Sequence, residues 1–401
     1  MGGLTTSYRT PRYSPRRRTV GRLLSRQSPL RRMDWMLVAA ATGLSGIGSL
    51  LVWSATRSRS DINHGDPQYF LVRHLLNMVV GMALCGGIVL LGHHRLRTAV
   101  PFLYAFAVLG VLAVLSPLGS TVNGAHSWIV LGGGFSVQPS EFCKIAIILG
   151  MATLLSARVD AGELDHPEGR AIVQALTLAA IPIGVILLMP DLGSTMVMVV
   201  IILAVLLASG APTRWLLGLM AVGGTGAVAV VQLHLLKQYQ IARFAAFADP
   251  ALDPSGVGYN TAQARIAIGS GGLLGKGLFK GSQTTGQFVP EQQTDFVFTV
   301  AGEELGFLGA GLIILLLAVV LWRACRIART AGDLYSTIVA AGVVSWFGFQ
   351  GFENIGMTLG IMPVAGIPLP FVSYGGSSMF AIWVGIGLLQ SVKMQRSMAG
   401  D

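Results

Sequence analysis

Charge is the first thing this sequence has little of. Only 11% of its 401 residues are Asp, Glu, Lys or Arg, where a water-soluble domain carries about a quarter. With 53% hydrophobic residues, that scarcity excludes an ordinary soluble protein. Cysteine is scarce too. Cys85, Cys143 and Cys325 are far apart and odd in number, which excludes a disulfide framework and a CxxC redox or metal motif. The histidines are scattered, and the adjacent His93 and His94 do not share a helix face, so they read as interfacial and no metal centre is expected. Acidic residues are absent from residues 1–32, which hold nine Arg. Those arginines account for most of the net charge of +10. An arginine-rich arm beside a first apolar span reads as a cytoplasmic, disordered anchor on anionic lipid. It does not read as a nucleic-acid-binding tail, and no nucleic-acid partner is expected. The first span is too long, and its polar lead too extended, for a cleaved signal peptide.

What the sequence has in abundance is apolar runs of about 20 residues, the length that crosses a bilayer core as a helix. Ten are placed at approximately 34–55, 71–92, 98–118, 141–157, 171–189, 194–210, 215–235, 297–322, 336–360 and 377–392. Lipid leaves no water to satisfy open sheet edges, so the expected fold is an all-α polytopic membrane protein with ten transmembrane helices. Its regions are a basic arm (1–32), a ten-helix membrane domain (33–392) with a large loop between helices 7 and 8 (236–296), and a short tail (393–401). Arg95, Arg97, Arg158, Arg170, Arg214, Arg323, Arg326, Arg329, Lys393 and Arg396 fall in loops on the side of the arm. Only Arg57, Arg59 and Arg73 fall in the short opposite loops. The positive-inside rule therefore makes both termini cytoplasmic and the 236–296 loop extracellular.

That orientation gathers the polar sequence on the outer face. Four groups fall there: "NGAHSWIVLGGGFSVQPSEFCK", "MPDLGST", the long loop ending in "VPEQQTDFVF", and "MPVAGIPLPFVSYGGSS". Ionisable residues lie in the outer parts of the spans. Glu141 and Lys144, three apart, share a helix face. Asp191 caps a hairpin. Glu303 stands eight residues after Asp295, about 12 Å further along a continuous helix. Glu353 and Asn354 lie in the ninth span. Buried charges are costly in lipid and face a cavity or a partner. Singly, each reads equally well as a structural ion pair or helix tie; together on one side, they point to a polar cavity opening outward.

The long loop divides into two short helices. The first carries Ile241, Phe244 and Phe247 three apart with basic residues between, as an interfacial helix does. The second is "YNTAQARIAI". Together they roof the cavity and bring Arg243, Arg265, Lys276 and Lys280 to it, cations suited to a phosphate-bearing lipid headgroup. "GSGGLLGKG" is not a phosphate loop, because Ser270 stands where its first Gly belongs and Gly277 follows Lys276. Its glycines read as a tight turn with close backbone approach. "SYGGSS" lacks partners for a serine nucleophile, and Ser377 or Ser378 reads as a helix cap.

These segments, in this order and spacing from about residue 33 to 392, resemble the SEDS (shape, elongation, division and sporulation) family, the RodA/FtsW group. The wording of "MPVAGIPLPFVSYGG" is closer to RodA, and the basic arm and "HSWIVLGGGF" look actinobacterial. The resemblance implies a peptidoglycan glycosyltransferase in the bacterial cytoplasmic membrane. It implies lipid II as substrate, polymerised at the outer face, and a class B penicillin-binding protein as transpeptidase partner. The family's essential acid in "TDF" falls on Asp295. Its "W…QPSE…K" segment falls on Trp128, Gln138, Ser140, Glu141 and Lys144, implying substrate contacts there, and Asp191, Gln263, Arg265, Arg243 and Glu291 complete the expected substrate set. Attack by a sugar 4-hydroxyl needs a general base, the role expected of Asp295. The departing diphosphate needs neutralising charge, for which Lys144, Arg243 and Arg265 are candidates. Inversion needs no covalent intermediate, so one carboxylate suffices. No resident cofactor is expected, although a divalent cation on the diphosphate stays open. The rival readings are a lipid II flippase or proton-coupled transporter, argued from the embedded acids, and a non-catalytic scaffold. Against the first, the chain shows no repeated pair of broken helices.

Overall fold

The computed structural model describes residues 32–122, 125–132, 135–189, 191–233, 241, 247 and 256–399. The expected arm therefore lies outside the described residues except for Arg32, as do Arg243 and most of the first loop helix. Each of the ten apolar runs is helical. In chain order, α1 is Trp35–Thr56, α2 Tyr69–Leu91, α3 His93–Val114, α4 Pro139–Asp160, α5 Gly169–Leu188, α6 Leu192–Ala208 and α7 Thr213–Gln232. The second loop helix is α8, Val257–Ser270, followed by the single turn α9, Ser282–Thr285. A short α10 (Val297–Val300) leads through a π-helical turn into α11, Gly306–Arg329; α12 is Leu334–Leu359 and α13 Gly376–Ala399. Among the described residues, seven helices are long and apolar enough to cross a membrane.

The exposed faces of these helices are apolar. Phe102 and Phe106 on α3 are 78% and 74% exposed, and Leu84, Leu188, Leu217 and Leu315 are exposed on α2, α5, α7 and α11. Apolar faces spread over so many helices are uncommon on soluble monomers, and they fit a chain solvated by lipid. The core lies between α4, α6, α12 and α13, where Ile147, Val197, Trp346 and Ile386 are completely buried.

One expectation fails. The chain is not all-α, because residues between α3 and α4 form an antiparallel sheet in the order β1 (Gly119–Val122), β2 (Ala125–Gly132), β3 (Phe135–Val137). Ser120 pairs with Trp128, and Ile129 with Val137. Lipid forbids open strand edges only where it surrounds the backbone. This sheet lies in a connection between spans, and its glycine-rich wording hides the β-branched and aromatic residues at Trp128, Ile129 and Val130.

A second departure interrupts the eighth run. Ala301–Leu305 is π-helical and Gly306 takes a φ of 65°. The backbone bonds lost there are replaced from the 271–277 loop. Lys276 and Gly277 donate their N–H groups to the carbonyls of Glu303 and Glu304, and Phe307 and Leu308 donate theirs to the carbonyls of Gly272 and Leu273. The loop approaches so closely that a Cβ on Gly275, itself at φ 79°, would lie 2.1 Å from the Glu304 carbonyl oxygen. This is the physical content of "GSGGLLGKG". Gly275→Ala combines that overlap with a left-handed backbone costing about 1–3 kcal/mol. We expect it to lower the thermal midpoint of the detergent-purified protein, whereas Gly311→Ala, which meets no atom within 4 Å, should leave it unchanged.

Candidate functional site

The functional candidates converge on one irregular segment, residues 364–374, which connects α12 to α13. Three groups reach it from different parts of the chain.

The first surrounds Asp191. Its Oδ1 accepts the Ser194 N–H at 3.0 Å, capping α6, and its Oδ2 accepts from Gln138 Nε2 at 3.1 Å and Ser140 Oγ at 3.5 Å. Ser140 and Ser194 hydroxyls lie 3.3 Å apart. The Gln138 N–H donates to Ser377 Oγ at 3.1 Å. This side chain, expected to cap its own helix, thus joins the end of the sheet to the start of α13. At the α6 N-terminus, a Cβ on Gly193 would stand 2.6 Å from the Ala365 carbonyl oxygen, so the knot rests directly on the 364–374 segment. Trp128, partly buried, lies on β2.

The second group is the expected Glu141–Lys144 pair. Lys144 Nζ meets Glu141 Oε1 at 2.7 Å, with side chains 0% and 2% exposed. The same ammonium donates to Gln350 Oε1 at 3.1 Å and stands 5.5 Å from the Trp346 ring centre. Trp346 Nε1 donates to the same oxygen, and Gln350 Nε2 donates to the Pro368 carbonyl at 2.9 Å. Lys144 therefore spends its charge inside the bundle, beneath the segment. Glu141 Oε2 is buried with no hydrogen-bond partner among the described residues.

The third group is the "QTD" turn before α10. Asp295 is partly buried, and its Oδ2 lies 3.4 Å from where a Cβ on Gly366 would stand. Asn354 Nδ2 donates to the Asp295 carbonyl at 2.7 Å and to the Ile367 carbonyl at 2.7 Å. Ser373 Oγ donates to the Thr294 carbonyl, and the Tyr374 N–H to the Gln293 carbonyl at 2.9 Å. The Tyr374 ring packs between Phe70 and His74 of α2, and burial pushes its phenol above its ordinary pKa, partly offset by Arg73. Glu291, at φ 52°, accepts from Gln293 Nε2 and Thr294 Oγ1 and so shapes the turn.

The remaining charges separate. Glu303 does not face an open cavity. It accepts from Lys276 Nζ, from the N–H groups of Gln283 and Thr284, and from the Thr284 hydroxyl, each at 2.8 Å. It is a structural anchor, and it engages the lysine that the sequence offered to phosphate. Glu304 is tied to Ser54 of α1 at 2.7 Å. Gln263 is half-buried and Arg265 exposed on α8, with the Arg265 side chain over Gly360 at the end of α12; Lys280 is exposed.

Sequence reasoning missed Gln350, Ser194, Gly366 and Ser373. Gln350 was accessible in principle, since it precedes Asn354 by four residues and so shares its helix face. Ser373, in an irregular segment, carried no such periodicity.

Comparison with known proteins supplies the context. Residues 34–398 match the family model described as "Cell cycle protein", which covers FtsW, RodA and SpoVE. The chain is 37% identical over 360 residues to stage V sporulation protein E of Bacillus subtilis, covering 90% of this chain and 96% of that one. It is 34% identical over 376 residues to a probable peptidoglycan glycosyltransferase FtsW of Trichlorobacter lovleyi, covering 92% and 95%. Among solved structures, it is similar to a chain from a peptidoglycan synthase complex described as coordinating polymerization and crosslinking. The TM-score is 0.74 at 30% identity, covering 91% of this chain and 98% of that chain. It is also similar to the rod shape determining protein RodA of Thermus thermophilus, with a TM-score of 0.65 at 29% identity, covering 91% and 97%.

Proposed function

Because the chain belongs to the FtsW, RodA and SpoVE family of cell cycle proteins, we propose that it is a peptidoglycan glycosyltransferase. It polymerises lipid II at the outer face of the bacterial cytoplasmic membrane, with a class B penicillin-binding protein as its crosslinking partner. The observation that carries this reading is the convergence of the Asp191 knot, the Glu141–Lys144 pair and the Asp295 turn on residues 364–374. Asp295 is the general base. It takes the proton of the acceptor sugar's 4-hydroxyl as that oxygen attacks the anomeric carbon of the lipid-linked donor, and the undecaprenyl diphosphate departs with the bonding pair in one inverting displacement. Asp191 instead caps α6 and ties it to Gln138 and Ser140, a structural duty that the family resemblance does not assign to Asp295. Arg265, exposed on α8 with its side chain over Gly360, is the described cation proposed to neutralise the diphosphate. Purified protein and fluorescent lipid II, assayed with and without the partner, should yield glycan chains; monomer alone under both conditions removes the proposal.

The proposed topology has all ten long helices crossing, both termini cytoplasmic and residues 236–296 outside. It is supported by the bias of Lys and Arg among loops. With Cys85, Cys143 and Cys325 replaced, Ser120→Cys and Thr285→Cys should react with an impermeant maleimide on intact cells, and Leu164→Cys should not. Reaction at residue 164 inverts the topology. The proposed cellular role is elongation. Relatives named FtsW make an FtsW-like division role the rival, and depletion separates them: rounding cells support elongation, filaments division.

A further inference from the structure

The "QTD" turn is held in an uncommon way. Three consecutive carbonyls, of Gln293, Thr294 and Asp295, each accept a hydrogen bond from a different donor beyond residue 350: the Tyr374 N–H, the Ser373 hydroxyl and the Asn354 amide. The turn has no helical or strand ladder to satisfy these groups, so those donors anchor it from outside, while Glu291 closes it from within. Two of the three are side chains. Asn354 is 0% exposed and uses both amide hydrogens, one on the Asp295 carbonyl and one on the Ile367 carbonyl, at 2.7 Å each. Two carbonyl acceptors fix which end of the amide is nitrogen. Ser373 accepts the Leu369 N–H at 2.8 Å while donating to Thr294, so its single hydroxyl joins the loop to the turn. Between Ile367 and Asp295 lies Gly366, at φ 70°, against which the Asp295 carboxylate rests.

We propose that Asn354 and Ser373 are positioning residues that aim the Asp295 carboxylate by fixing the backbone on which it stands. The inference rests on the assignment of Asp295 as base. Neither side chain is placed on substrate. Each acts through the direction of the Asp295 Cα–Cβ bond, and a base displaced by about 1 Å loses on the order of 10²-fold in rate. The effect therefore belongs in kcat, since substrate contacts elsewhere in the cavity are untouched.

The test measures lipid II polymerisation by the full-length protein with its partner transpeptidase. Ser373→Ala and Asn354→Leu should each lower kcat at least about 10-fold and leave KM within about twofold. Ser373→Thr, which keeps the hydroxyl, should recover most of the rate. In an Asp295→Asn background, measured over long incubations, Ser373→Ala should cost little more, because the group it positions is gone. A raised KM with kcat preserved, a Ser373→Thr variant no better than Ser373→Ala, or an equal loss in the Asp295→Asn background would each overturn the proposal. If Asn354→Leu does not accumulate, the Ser373 pair carries the test. An active Asp295→Asn protein defeats the base assignment itself, an outcome distinct from failure of the positioning claim in an inactive one.

Discussion

Asp295→Asn is expected to lower lipid II polymerisation by about 10²–10⁴-fold, the usual contribution of a general base, without loss of the folded protein. The amide keeps the shape of the side chain and an oxygen for hydrogen bonding, but it takes no proton near neutral pH. The backbone contacts that hold the turn, from Asn354, Ser373 and Tyr374, reach main-chain carbonyls and survive the substitution. Lipid II and partner binding should therefore persist in pull-down or fluorescence assays while polymer disappears. Glu291→Gln should retain more activity, because Glu291 engages Gln293 and Thr294 within the turn. Comparable partial losses at both positions would mean shared electrostatic duty. Near-normal polymerisation by a well-expressed Asp295→Asn protein would move the search to Asp191 or Glu141.

Lys144→Met is expected to be the most damaging change in the interior. The lysine is 0% exposed and the glutamate 1% exposed, and removing one partner leaves the other charge uncompensated, at a cost on the order of 3–5 kcal/mol. Gln350 and Trp346 offer no cation to replace it. We expect a markedly lower thermal midpoint in detergent and poor accumulation in membranes, against little change for Lys393→Met. The double variant Glu141→Gln/Lys144→Met should regain part of the loss, since neither member of the pair then leaves the other's charge uncompensated. A double-mutant cycle without coupling would show that the 2.7 Å contact contributes nothing to stability, and the Gln350 bridge to Pro368 would then have to hold the network alone.

The two predictions differ in how far the sequence could reach them. The Glu141–Lys144 pair was legible because a three-residue spacing on a helix puts both side chains on one face. Asp295 was legible as an acid at the end of a long polar loop, and the family resemblance singled it out. The surroundings of both were not legible. Gln350, which completes the lysine's environment, is 206 positions away, and Asn354 is 59 from Asp295. Glu303 shows the opposite failure. Its depth in an apolar run suggested a cavity, but the π-turn brings it to Lys276 and the α9 N–H groups, where it is structural.

By itself, the sequence determined the features that local physics controls. Each of the ten apolar runs became helical, the eighth broken by a π-turn. Among the described residues, seven helices are long and apolar enough to cross a bilayer, as runs of about 20 apolar residues dictate. The glycine-rich loop and the family's motifs were likewise readable from neighbouring residues alone. Only the tertiary structure decided the three-stranded sheet, the break at Ala301–Leu305 and the long-range partners of the buried charges. Those outcomes depend on donors and acceptors supplied by distant segments: Lys276 and Gly277 to the π-turn carbonyls, Gln138 to Asp191, and residues 364–374 to the Gln350 and Asp295 groups. A buried polar atom takes the partner that folding brings within about 3 Å, and beyond one helical turn no spacing along the chain encodes that choice.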